Sequence, residues 1–129
     1  MLGHLLHEVG IDSVIIESKS RNYIEERVRA GVLEQGTVDA MIESGVGDRL
    51  QREGLQHEYI DLRFNEKPHR LNITELSGGR SVWVYAQHEI VKDLVAARLG
   101  YDEPLYFEAN DVSIHDIDSD EPSVRFIRD

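Results

Sequence analysis

The sequence predicts an α/β fold with additional antiparallel strands, and three patterns carry that prediction. Residues 2–9 place Leu2, Leu5, Leu6 and Val9 at three- and four-residue intervals, and Gly10 stands where a helix ends in a left-handed cap. Ser13-Val14-Ile15-Ile16-Glu17 follows, a short β-branched run of the kind that forms a buried parallel strand. Farther along, runs of period two alternate with helical periodicity, which interleaves strands and helices in one chain. Helix, glycine, strand and terminal acid together make the back half of a βαβ unit.

The remaining elements read in order. Residues 18–29 are polar and predict a surface loop. Thr37 is placed to cap a helix running to about Ser44, with Val38, Met41 and Ile42 on its buried face. Gly45 and Gly47 break that pattern before a second short helix around residues 48–53. From Glu58 the period becomes two: residues 59–64 and 70–73 predict strands, with Asn65-Glu66-Lys67-Pro68 as the turn. Ser77-Gly78-Gly79 is a further turn, leading into the strand Val82-Trp83-Val84-Tyr85. Residues 87–99 predict a helix with Ile90, Val91, Leu94, Val95 and Leu99 on its apolar face and Gly100 after its end. The tail holds two strand-like runs, 105–114 and 123–127, around an acidic loop.

Length and charge bound the function. The 129 residues amount to one domain at most, and 40% hydrophobic content is enough for a modest core. Fourteen basic residues against 25 acidic give −11 at pH 7, a balance that repels nucleic acid and anionic membrane surfaces. Asp111, Asp116, Asp118, Asp120 and Glu121 concentrate acid near the end, as a solvated loop does. The absence of cysteine excludes disulfides and thiolate metal sites and fits a reducing cytoplasm. No apolar run approaches the ~20 residues of a membrane helix, and residues 1–10 do not resemble a signal peptide.

Two features could carry chemistry. Glu17 ends the strand of a dinucleotide-type unit, where a carboxylate accepts hydrogen bonds from a ribose diol, although acids often end strands without any such duty. The run Arg27-Val28-Arg29-Ala30-Gly31-Val32-Leu33-Glu34-Gln35-Gly36 combines two arginines with small residues. That suits close approach to a phosphate-bearing ligand, or else a plain surface loop. His4 and His7 lie three apart on the first helix, which is not the spacing of a zinc site, and read as a solvent-facing surface. His69, His88 and His115 have no partner at a ligand spacing, so no metal site is indicated. Trp83 and Tyr85 read as strand packing.

Residues 27–36, together with Leu76-Ser77-Gly78-Gly79 and Val84-Tyr85-Ala86-Gln87, closely resemble the single-component flavoprotein aromatic hydroxylases. The likeness has no obvious gap up to about Leu99 and loosens in the acidic tail. It implies a partial FAD-binding Rossmann-like (βαβ) domain over residues 1–129. By the same resemblance, Glu17 holds the adenosine ribose of FAD, Arg29 and the Ala30-Gly31-Val32 backbone lie along the cofactor, and Gln87 is a further contact. Arg27 falls in a loop of the family that helps the flavin ring swing between positions. His57 matches the outer end of a proton relay that ionises a substrate phenol, a duty that suits an imidazole. The family's reaction consumes NADH or NADPH and O2 and adds oxygen to a small aromatic acid, ortho to the phenolate. In this sequence Glu25 and Glu26 repel a 2′-phosphate while Lys19 and Arg21 attract it, and the Tyr-Ile-Glu run favours NADH. A homodimer of full-length chains is compatible with the resemblance.

The family's Gly-x-Gly-x-x-Gly turn and first strand are expected just before Met1, and the substrate domain after Asp129. The chain is therefore read as a fragment of such an enzyme, inactive by itself. The alternatives are a truncated product serving as an interaction module and another FAD-dependent phenol hydroxylase. Residues 27–36 disfavour an NAD-dependent reductase that shares only the dinucleotide fold. The polypeptide alone is expected to leave a sheet edge and an apolar face uncovered. It is also expected to bind FAD weakly or not at all; a flavin titration giving micromolar or tighter binding would overturn that.

Overall fold

The computed structural model describes residues 1–128; Asp129, the last position of the expected domain, lies outside the described residues. In chain order the elements are α1 (Leu2–Glu8), β1 (Ile15–Ile16), α2 (Arg21–Glu26), β2 (Val32–Glu34), α3 (Gln35–Glu43), α4 (Asp48–Glu53), β3 (Leu55–His57), β4 (Tyr59–Phe64), β5 (Lys67–Asn72), α5 (Ile73–Leu76), β6 (Val82–Val84), α6 (Gln87–Gly100), β7 (Leu105–Tyr106), β8 (Asn110–His115) and β9 (Ser123–Ile127). The mixture is the α/β class expected: one parallel pair, β1 with β7, beside antiparallel sheets. The chain forms two compact units, residues 1–27 with 94–129, and residues 28–93.

The first unit is built around a buried cation. Arg98 on α6 is only 4% exposed. Its Nη1 donates to the Gly3 carbonyl at 3.3 Å and to Ser13 Oγ at 3.0 Å. Its Nη2 donates to the carbonyls of Ser13 and Pro104 and lies 3.2 Å from Glu103 Oε2. A buried guanidinium needs partners for its donors, and here both Nη groups have them, on Gly3 and on the chain entering β1 and β7. Those strands pair in parallel, Ile15 against Leu105 and Ile16 against Tyr106. The other edge of β1 has no strand against it among the described residues. Beside this sheet Val14, Ile16, Tyr106, Val124 and Phe126 line an apolar hollow of about 380 Å³.

Several expectations for this unit are corrected. On α1 the apolar stripe faces solvent, with Leu2 and Val9 largely exposed, while His4 is buried rather than solvent-facing. His7 stacks on Tyr101 with centroids 4.1 Å apart, and its Nδ1 lies 3.0 Å from Glu103 Oε1. These contacts turn the histidine face of the helix inward. The polar stretch after Glu17 contains α2, because Ser20 accepts a hydrogen bond from the Tyr23 amide at 3.3 Å and Arg21 pairs with Glu25 four residues on. The first strand-like run of the tail is split, since Glu108 adopts a left-handed φ of 59° between β7 and β8. The acidic loop narrows to the β8–β9 connection, and Asp111 lies within β8. On α6, Val95 and Arg98 are buried, while Leu99 is 40% exposed.

In the second unit β6 is the central strand of a three-stranded antiparallel sheet, with β2 and β3 on its flanks. Against it pack α3 and α4, whose Val38, Met41 and Leu50 are fully buried with Leu33 and Tyr85 beside them as core. Helix α3 begins at Gln35, two residues before the expected Thr37 cap, because the Gln35 amide bonds Asp39 one turn on at 2.8 Å. Strands β2 and β3 and the single turn α5 were not expected; the two strands are defined by their pairing with β6. The β4–β5 hairpin turns at Asn65 and Glu66, both with positive φ (50° and 61°), so Pro68 lies in β5 instead of in the turn.

Replacing Leu50 with Ala should cost about 2–5 kcal/mol, since it opens a cavity in a closed core. Ile60→Ala on the exposed hairpin should cost under about 1 kcal/mol. Urea unfolding of the two variants measures both.

Candidate cofactor-binding site

Two of the three stretches that carry the family resemblance, residues 27–36 and 84–87, meet side by side in the second unit. Strand β2 pairs with β6, Val32 opposite Val84 and Leu33 opposite Trp83. The ladder runs on past the strands: the Tyr85 amide donates to the Gly31 carbonyl at 2.7 Å and the Gln87 amide to the Ala30 carbonyl at 3.1 Å. The backbones meet so closely at Gly31 that an added Cβ would lie 3.0 Å from Ala86 Cα and 3.3 Å from its nitrogen. A side chain there must push the junction apart, so glycine is required by the neighbour rather than by a special φ. Gln87 opens α6, directly after this contact.

A polar network lies behind the junction. Tyr85 is 3% exposed, and its hydroxyl donates to Asp93 Oδ2 at 2.7 Å. Arg49 of α4 donates through Nη1 to Asp93 Oδ1 at 2.7 Å and through Nη2 to Glu89, and lies over the Tyr85 ring, 5.8 Å from its centroid. Burial, then the bond to Asp93, pushes the Tyr85 phenol well above its ordinary range, so it remains a donor. Lys92 and then Arg49 hold the Glu89 carboxyl at about 2. The bond to Glu89 raises Arg49 further, keeping it charged. Apart from Tyr85, read in the sequence as strand packing, none of these residues stood out. The available signals were weak: Arg49 four residues before Glu53, and Glu89 three before Lys92.

Behind β6, Ser81 is buried and donates to Gln35 Oε1 at 2.6 Å while accepting from Gln56 Nε2 at 2.9 Å. Trp83 Nε1 reaches the same Gln35 oxygen at 3.4 Å, in keeping with a packing role for this tryptophan. Arg29 is exposed and its guanidinium makes no hydrogen bond or ion pair among the described residues. His57 closes β3 opposite Val82. It too is exposed and has no side-chain partner among the described residues.

In the first unit Glu17 follows β1, as expected. Its amide donates to the Tyr106 carbonyl at 2.8 Å and its carbonyl accepts from the Ala109 amide at 3.0 Å. The carboxylate Oε1 accepts from the Lys19 amide at 2.8 Å and from Ser18 Oγ at 3.3 Å. Oε2 makes no hydrogen bond among the described residues, so it is available to a diol. Arg27 caps α2 with its guanidinium over Tyr23, 5.7 Å from the ring centroid. Arg21 is engaged by Glu25 at 2.6 Å, which leaves it less able to receive a further anion. Among the described residues no cluster of His, Asp and Glu could hold a metal ion, and no helix is long and apolar enough to cross a membrane.

The first unit presents a strand-end carboxylate, Glu17, and the second a glycine-lined strand meeting a helix start beside the exposed Arg29. The chain belongs to the FAD binding domain family, whose pattern matches it over residues 1–129. It is similar in particular to the p-hydroxybenzoate hydroxylase of Acinetobacter baylyi, at 41% identity over 116 residues. That stretch covers 90% of this chain and 29% of the relative, so the chain spans less than a third of the hydroxylase it matches.

The sign of the Glu89 effect is fixed by its lowered pKa. Its contribution to stability is present above the ordinary carboxylate value near 4.5 and is lost as pH falls towards about 2. Glu89→Gln should therefore be less stable than the unsubstituted chain at pH 7, and the gap should close between pH 4.5 and 2. Denaturant midpoints across that range are the check, and a gap independent of pH would refute it.

Proposed function

We propose that this chain is part of a flavoprotein monooxygenase that converts 4-hydroxybenzoate to 3,4-dihydroxybenzoate with FAD, NAD(P)H and O2. The observation that carries the reading is the pairing of Ala30-Gly31 with Tyr85 and Gln87. It joins, in one unit, two separated stretches that resemble the aromatic hydroxylases. Similarity to a p-hydroxybenzoate hydroxylase supports the substrate class, a small aromatic acid.

When bound, FAD supplies the redox and oxygen chemistry, and the protein contributes position and electrostatics. Glu17 accepts hydrogen bonds from the adenosine ribose. The Ala30-Gly31-Val32 backbone and the Gln87 side-chain amide make polar contacts along the cofactor, with Arg29 offering charge to its phosphates. Arg27 belongs to the loop that accommodates movement of the flavin ring. His57, exposed at a strand end, exchanges with solvent the proton removed from the substrate phenol. The Arg21–Glu25 pair supports NADH over NADPH, because it withholds from a 2′-phosphate one of the two cations nearby. We read residues 1–129 as part of one FAD-binding domain in a cytoplasmic enzyme, with pairing of full-length chains into a homodimer.

A full-length protein carrying this segment should form 3,4-dihydroxybenzoate in step with NADH oxidation, and faster with NADH than with NADPH. Glu17→Ala should weaken FAD binding about tenfold, the worth of one or two charge-assisted hydrogen bonds. Product chromatography with cofactor titration tests this. NADH consumption without hydroxylation of 4-hydroxybenzoate would reassign the substrate to another phenol.

A further inference from the structure

Besides the exposed Arg29, the residues assigned to the flavin in the second unit are backbone groups and one side-chain amide, and nothing in their own chemistry fixes where they stand. Their position depends on the turn from β6 into α6, residues 85–87. The amides on either side of Ala86 are bonded to Gly31 and Ala30, so the turn and the strand move together. What holds the turn from behind is polar. The Tyr85 hydroxyl is tied at 2.7 Å to Asp93, eight residues on and about two helical turns into α6. That tether sets the angle at which α6 leaves the sheet. Arg49 then fastens the same stretch of helix to α4, through Asp93 at 2.7 Å and through Glu89. Helix α4 is itself anchored by the fully buried Leu50.

We propose that Tyr85, Asp93 and Arg49 act together as positioning residues that hold the Ala30-Gly31 backbone and Gln87 in register for FAD. The proposal rests on the cofactor reading above. None of the three is assigned a contact with the cofactor. They act through the junction, and their removal lets the turn relax while leaving every flavin-contacting residue in place. Arg49 has a second effect on the same turn: without it Asp93 loses its cation and Glu89 is left with Lys92, so negative charge grows on the first two turns of α6, close to where an anionic dinucleotide would approach. Tyr85→Phe cuts the tether and leaves charge unchanged. Arg49→Met removes tether and neutralisation together, and Arg49→Lys keeps the charge but not the two-pronged grip.

The experiment uses the full-length flavoprotein that carries this segment, stripped of flavin and titrated with FAD, with the absorption spectrum of the bound flavin and the urea midpoint of the apoprotein read in parallel. Tyr85→Phe should raise the FAD Kd about tenfold and shift the bound spectrum. Arg49→Met should raise it more, and Arg49→Lys should recover most of that loss. Val38→Ala, a core variant that lowers stability and removes none of the Tyr85–Asp93–Arg49 hydrogen bonds, should leave Kd and spectrum unchanged. An unaltered Kd and spectrum in Tyr85→Phe and Arg49→Met, with only the urea midpoint lowered, would reduce the network to a stabilising feature and overturn the proposal. Equal weakening of FAD by Val38→Ala would overturn it too. If the unsubstituted protein takes up no FAD, it is the cofactor reading that fails, and the positioning role falls with it.

Discussion

The structure of residues 28–93 depends on one close approach, where the backbone of Gly31 lies against that of Ala86 with no room for a Cβ between them. Because glycine allows that contact, the β2–β6 ladder extends beyond its last strand pair to Tyr85 and Gln87. Extension of the ladder brings the start of α6 against the small-residue segment Ala30-Gly31. Neither segment could make this surface alone: one is a chain of exposed loop residues, the other a turn before a helix. Pairing turns them into a single rigid edge, with backbone geometry set by hydrogen bonds on both sides of residue 86.

The other unit solves a similar problem with a charge. Arg98 sits where an apolar side chain would be expected on a buried helix face, and the cost of desolvating it is offset by carbonyls and by Glu103. Those carbonyls belong to Ser13 and Pro104, one or two residues before β1 and β7 begin. A two-residue parallel pair has little stability of its own. The guanidinium fixes both strands at their entry, and so fixes Glu17, which leaves β1 with its amide on Tyr106 and its carbonyl on Ala109. Nε of Arg98 has no partner among the described residues, so the packing is arranged around the two Nη groups instead.

What was legible in the sequence follows from this. Elements whose periodicity spans several residues were readable: α4 and β9 match at both ends, and α3 and α6 to within two residues. Elements defined by long-range bonds were not. Strand β2 lies in the stretch that residue chemistry read as a loop, because its existence depends on Val84 and Trp83 some fifty residues away. The apolar stripe of α1 misled for a related reason: period shows which residues share a face, while His7–Tyr101 and His7–Glu103 decide which face turns in. Of the candidate site, Glu17 was readable by position and residues 27–36 by resemblance. The network behind them was not, since Arg49, Tyr85 and Asp93 become neighbours only when α4, β6 and α6 pack.

That network also bears on why the chain uses polar groups where hydrocarbon would bury more area. In residues 28–93 the fully closed apolar core consists of Val38, Met41 and Leu50, a small set for the sheet and helices it supports. Apolar contact is non-directional and tolerates sliding, whereas a hydrogen bond restricts distance and angle together. Binding through backbone groups tolerates only about 0.5 Å of misplacement. A core of three side chains can hold α4 against the sheet, yet it cannot choose among nearby orientations of α6. The phenol of Tyr85, bonded to a carboxylate that is itself bonded to a guanidinium, makes that choice, because each member satisfies the next and a shift of the helix would leave a buried hydroxyl and a carboxylate without partners. Stability alone would be served as well by leucine; a defined edge for a ligand would not.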